Sequence, residues 1–193
     1  MKNTSSGRAC KRLWRQALAA CLLACAGVVW GSDSKGVSEY QVKAVFLYRF
    51  TQFVEWPAED GAAGDRPFVI GIAGEDPFGP VLDDTVRDEK VQESRPIVIK
   101  RLHDDETLPK CDLLFIAQSE KDRLKHLLGK VRGQAVLTVA DTGAAAEQGV
   151  MINLLVVQGS VKMEINQEAL AAAGMKVSAK LLTLAKIVKT KAD

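Results

Sequence analysis

From Tyr40 to Pro57 apolar residues recur at three- and four-residue steps, so Val42, Val45, Phe46, Phe50, Phe53 and Val54 are predicted to share one face of a helix. Lys43, Arg49, Gln52 and Glu55 fall mostly on the other side. Ser38 offers a side-chain oxygen as N-cap, and Trp56-Pro57 closes the element because proline disfavours helical geometry in the residue before it. The pattern then shortens. Phe68 to Ala73, Ile97 to Leu102 and Leu113 to Ala117 are runs of strand length, the last apolar throughout, as in strands buried between two helical layers. After the first of them, Pro77 to Val86 reads as a short helix with Asp76 as cap and Pro77 at its first position.

Ser119 is predicted to cap a helix running to about Val131, with Asp122 as an approximate capping-box partner and Leu124, Leu127, Leu128 and Val131 as its buried stripe. Gly133 ends that helix, and Ala135 to Ala140 forms the next strand. Val150 to Val157 and Ser160 to Ile165 flank Gln158-Gly159, a tight hairpin turn. Asn166 caps a helical piece broken near Gly174, and Ser178 begins a second, with Leu181, Leu182, Leu184 and Ile187 apolar. Strands alternating with helices and ending in a hairpin predict an α/β fold, a single-domain layered sandwich with a mixed, roughly six-stranded sheet flanked by helices. The chain has neither internal repeats nor a low-complexity domain.

The beginning of the chain reads differently. Lys2, Arg8, Lys11, Arg12 and Arg15 form a basic leader without acidic residues, and Ala17 to Trp30 is an apolar run short for a membrane span. Residues 1–31 are therefore read as a signal peptide cleaved before Ser32, leaving residues 32–193 as the domain. Lipoprotein processing at Cys25 is the alternative, after an imperfect motif with Cys21 and the bulky Leu23, and an uncleaved anchor is a third, disfavoured by length. Removing the leader takes 5 of 26 Lys+Arg and none of 24 Asp+Glu, so 21 cations face 24 anions, a formal −3. The overall basicity then belongs to the export signal and argues for no nucleic-acid partner. The mature chain is expected to be soluble and periplasmic, without a span of its own. Cys111 is alone in it, which excludes an intramolecular disulfide, and its place before an apolar strand suggests a buried, inert thiol, with an intermolecular disulfide as the alternative.

Catalytic chemistry is sparse. Gly71, Gly74 and Gly79 fit neither a dinucleotide fingerprint nor a P-loop, and turn-forming roles explain them. His103-Asp104-Asp105-Glu106 offers four potential metal ligands, but adjacent side chains diverge, so a solvated acidic loop accounts for them. His126 lies on the polar side of its helix, and Asp83, Asp84 and Asp88 on a polar helix face, so no metal, cofactor or catalytic group is expected. Ligands in α/β sheets favour the carboxyl ends of strands, where Gly74, Glu75, Ser119 and Asp141 would form a small-ligand cleft. Near the end of the chain Ser160, Lys162 and Glu164 alternate with Val161, Met163 and Ile165, giving one polar and one apolar sheet face.

YQVKAVFLYRFTQFVEWP resembles the opening helix of the YfiR-like family, exported proteins that restrain membrane-bound diguanylate cyclases. The resemblance continues in FVIGIAGEDPFG (68–79), CDLLFIAQS (111–119) and LTVADTG (137–143), and is strongest over Gly149 to Ile187. It implies a non-catalytic periplasmic regulator with the same layered fold, which binds the periplasmic sensor domain of an inner-membrane diguanylate cyclase, lowers cyclic-di-GMP and biofilm formation, and forms a homodimer. It further implies an exposed apolar patch in the C-terminal portion, carried here by Met163, Glu164, Leu170 and Met175. A phenylalanine is usual where Met163 stands, and a second glycine where Gln148 stands; some relatives also carry internal disulfides. The competing expectation is a periplasmic small-ligand-binding module serving a transporter or another receptor, with its pocket at the strand ends near Gly74, Ser119 and Asp141.

Overall fold

In the computed structural model, Ser38 and Gln41 exchange side-chain-to-backbone hydrogen bonds in a capping box that starts α1 (Glu39–Phe53). The structure describes residues 38–57, 66–91, 94–102, 108 and 110–191. The leader, the start at 32–37, most of the loop from Glu59 to Pro67 and the His103-Asp104-Asp105-Glu106 run lie outside the described residues. The inward stripe of α1 is rotated from the expected one: Lys43, Ala44, Leu47, Phe50 and Thr51 are buried, whereas Val45 is 47% exposed. Helix geometry ends at Phe53 because Val54 turns to extended backbone and enters β1 (Val54–Glu55).

The other strands are β2 (Phe68–Ala73), β3 (Lys90–Val91), β4 (Arg95–Leu102), β5 (Leu113–Ile116), β6 (Leu137–Ala140), β7 (Ile152–Val157), β8 (Ser160–Asn166), β9 (Lys176–Val177) and β10 (Ala185–Val188). Eight of them form one sheet in the order β10-β8-β7-β6-β5-β2-β4-β3, two more than expected, the excess being the short edge strands β3 and β10. β7, β6, β5, β2 and β4 run parallel, while β8 and β3 each run antiparallel to their neighbours in that set and β10 runs parallel to β8. β1 and β9 make a separate antiparallel pair that fastens the end of α1 to the C-terminal third.

Helix α2 (Pro80–Val86) starts three residues later than expected, with Pro80 rather than Pro77 in the first turn. Asp76 is not its cap: one oxygen accepts from Phe78 N–H and the other from Arg101, so the residue shapes the loop before the helix. Helix α3 (Leu124–Val131) is preceded by a 3-10 segment, Gln118–Arg123, and Ser119 does not cap it. Helix α4 (Gln167–Ala172) has the Asn166 cap that its sequence calls for, and α5 (Ala179–Leu182) has Ser178. α5 is a single turn, however. Leu184 is 69% exposed beyond it and Ile187 lies in β10, so neither belongs to a helical stripe.

Alternation along the strands sends side chains to two cores. On one face Ile70, Ile72, Phe115, Val139 and Leu154 pack with Leu47 and Phe50 of α1 and Leu82 of α2. On the other, Val69, Leu114, Ile116 and Ala140 pack with Leu124, Leu127 and Val131 of α3. Cys111 is buried on this second side, and its desolvation pushes the thiol pKa up to about 11, which keeps it protonated and unreactive near neutral pH.

At the amino-terminal ends of the parallel strands, buried Asp112 binds three residues. Its carboxylate accepts from Arg66 at 2.7 and 2.8 Å, from Arg95 at 3.1 Å and from Val69 N–H at 2.8 Å. Trp56 Nε1 donates to its carbonyl at 3.1 Å while the indole meets Phe68 edge-on, so the chain leaving α1 is tied to the same point.

Candidate functional site

Three of the four residues expected at a strand-end cleft do meet. Ser119, after β5, accepts through Oγ from Glu75 N–H, after β2, at 2.9 Å. Gly74 sits at φ +91, where a Cβ would stand 2.4 Å from Ser119 Oγ and 2.7 Å from Glu120 Cγ. Only glycine fits both the backbone and the space. The two loops therefore meet in direct contact at this point. Asp141, after β6, is already committed: Lys43 Nζ and Tyr40 Oη both donate to its Oδ2 at 3.0 Å, and its side chain is 1% exposed. Gly74, Glu75 and Ser119 thus join two loops, and Asp141 is used in holding α1 to the sheet.

Lys43 was the residue that sequence periodicity placed on the wrong side of its helix. Its ammonium group is paired with Glu39 one turn earlier as well as with Asp141, and lies 4.6 Å from the centre of the Tyr40 ring. This intramolecular anchor orients α1 on the sheet. Burial and the Asp141 carboxylate raise the Tyr40 hydroxyl well above the ordinary tyrosine range, so it remains a donor.

The C-terminal third contains the four residues expected at a partner surface, and the structure separates them. Met163, Leu170 and Met175 are buried at 4, 3 and 3% exposure in the core beneath α1, so they do not form an exposed patch in this conformation. The alternation along β8 is as expected, but the apolar face is covered. Glu164, on the opposite face, is half-buried, accepts from Lys186 Nζ at 2.9 Å, and has Asn153 Nδ2 at 3.5 Å. Apolar surface does emerge nearby: Val156 and Val157 at the end of β7 and Ile187 on β10 are 45, 47 and 45% exposed. Register places Ile187 beside Ile165 and Val156 opposite Val161, so the exposed pair continues the face of the core toward the sheet margin.

Sequence reasoning named Asn166 as a cap but missed its second role. Its Oδ1 accepts from Ala169 N–H, while its amide donates to Ala146 carbonyl and to Thr190 Oγ1, each at 2.8 Å. One fully buried side chain thus joins α4, the loop after β6 and the C-terminal tail. Lys191 N–H adds a 2.8 Å bond to the Glu147 carbonyl, fastening that tail across the loop.

No helix among the described residues is long and apolar enough to cross a membrane. None of the curated proteins matches the chain. The model of the YfiR/HmsC-like family matches residues 40–186, from the start of α1 into β10, and so takes in Lys43, Asp112 and Asp141 and most of the C-terminal third. The chain belongs to the YfiR/HmsC-like family, which is known for periplasmic regulation.

Proposed function

We infer that this protein is a periplasmic repressor of an inner-membrane diguanylate cyclase, acting by binding the cyclase's periplasmic sensor domain and without catalysis of its own. The observation that carries this reading is the family match across residues 40–186. Export by residues 1–31 would end in cleavage before Ser32, and the working unit would be a homodimer. Repression requires the protein to bind the inactive arrangement of the cyclase more tightly than the active one; equal affinity for both would shift nothing.

Burial changes where the partner would touch. Met163, Leu170 and Met175 would support the contact from beneath, while the sensor domain would wrap the β10 margin of the sheet, meeting the exposed Val156 and Ile187 on the core face and Glu164 on the opposite one. Methionine at 163 suits such a supporting position, since its unbranched side chain adapts to small shifts of the strand above it.

Deleting the gene is expected to raise cellular cyclic-di-GMP and surface attachment, with the full-length gene restoring both and a version without residues 1–31 restoring neither. Measurement of the dinucleotide in cell extracts checks this. An unchanged level under ordinary growth and under envelope stress would count against repression.

A further inference from the structure

We propose that a cavity of about 850 Å³ between α3, the loop after β6, α4 and the C-terminal tail binds a small amphipathic anion, its apolar body on the alanine-rich wall and its charge on Arg132. The volume is within the range of small-ligand sites, about 300–1,000 Å³. Ala169, Ala172 and Ala173 form one wall, Leu128 and Met151 add apolar surface, and the shortness of the alanines leaves the space open. Gly133 and Gly149, at φ +74 and +104, turn the backbone at its border without side chains to fill it.

The charge around this apolar space is one-sided. Lys125, Arg132 and Lys191 line the cavity against a single carboxylate, Glu147, and that carboxylate is paired with Lys191. Arg132 is exposed and has no ion-pair or hydrogen-bond partner for its guanidinium among the described residues. A guanidinium presents a planar fork suited to a carboxylate, sulfonate or phosphate, and a cationic ligand would be repelled. The walls are also fixed in advance. The Asn166 bonds to Ala146 and Thr190 and the Lys191 bond to Glu147 hold the loop and tail in place, so little ordering remains to oppose binding. This site is separate from the loop contact at Gly74 and Ser119, neither of which lines it, and its occupancy does not depend on the repressor reading.

The test titrates the purified protein with 8-anilinonaphthalene-1-sulfonate, an aromatic body bearing one sulfonate, and follows the dye's fluorescence. One saturable site is expected. Arg132→Gln, at an exposed position, should weaken it about tenfold or more, the loss expected for a hydrogen bond to a charged group. Ala173→Phe should fill the wall and abolish binding, with an unchanged melting temperature showing that the fold survives. The uncharged N-phenyl-1-naphthylamine should bind wild type and Arg132→Gln alike. Absence of saturable binding would overturn the proposal. So would binding indifferent to Arg132→Gln but lost in Ile187→Asp, since the dye would then be reporting the exposed apolar margin of the sheet.

Discussion

Replacing Lys43 by methionine is expected to lower the free energy of unfolding by about 3–5 kcal/mol, because it leaves a buried carboxylate without its counter-charge. Lys43 and Asp141 have side chains only 2 and 1% exposed and meet at 3.0 Å. Methionine keeps most of the apolar stem, so the loss is mainly electrostatic. Asp141 would retain the Tyr40 hydroxyl at Oδ2, but its Oδ1 already has no hydrogen-bond partner, and the ion would have little else to offset desolvation. Adding Asp141→Asn to the Lys43→Met variant should recover a large part of the loss by removing the stranded charge. Urea denaturation of wild type, both single variants and the double variant measures this coupling. A Lys43→Met cost below about 1 kcal/mol would show that the pair behaves like an exposed one.

Asp112→Asn has the second largest expected effect, about 2–3 kcal/mol, from weakening charge-assisted hydrogen bonds to two guanidinium groups. Burial alone would raise the pKa of this carboxyl, but hydrogen bonds from Arg66, Val69 N–H and Arg95 outweigh it and hold the group below the usual carboxylate range. A carboxyl whose pKa is lowered on folding contributes stability that is full above the unfolded value, about 3.9, and is lost as pH falls through the folded value. The gap between wild type and Asp112→Asn should therefore be constant above about pH 5 and shrink as pH falls below about 4, as Asp112 itself becomes protonated. Thermal or urea unfolding over that range reads it directly. A gap that widens toward acid would mean the carboxylate is not stabilised by folding.

These two anchors also mark how far the sequence can be read. The parallel strands were legible because β2, β5 and β6 are buried on both faces and show it as continuous apolar runs. The hairpin was legible because Gln158-Gly159 is local chemistry: both residues adopt positive φ, +50 and +73, as a two-residue turn between twisted strands requires. Lys43 was not legible. Its partner Asp141 is 98 residues away, and without that carboxylate a lysine belongs outside, which rotated the expected face of α1 toward Val45.

The same non-locality hid β1 and β9, two residues each, whose pairing has no periodic signal. Leu181, Leu184 and Ile187 are spaced like a helix stripe, yet the edge of β8 offers a parallel ladder that takes the chain after Leu182. At the candidate site the alternation along β8 was read correctly, but alternation cannot tell an apolar face that is exposed from one that a helix covers. That distinction moved Met163 from the surface to the core.

Repression requires contact with a diguanylate cyclase, and co-purification reads that contact. Tagged protein would be recovered from the envelope of its own cells and its companions identified by mass spectrometry, in parallel with Glu164→Lys, Ile187→Asp and, as a control on the exposed side of α1, Val45→Asp. Variants at Met163 or Leu170 are unsuitable, since a charge at either buried position would act through unfolding. Wild type and Val45→Asp are expected to retain a membrane diguanylate cyclase, while Glu164→Lys and Ile187→Asp lose it although both remain folded. Failure of the wild-type protein to recover any cyclase, or equal recovery by all four forms, would contradict the repressor reading.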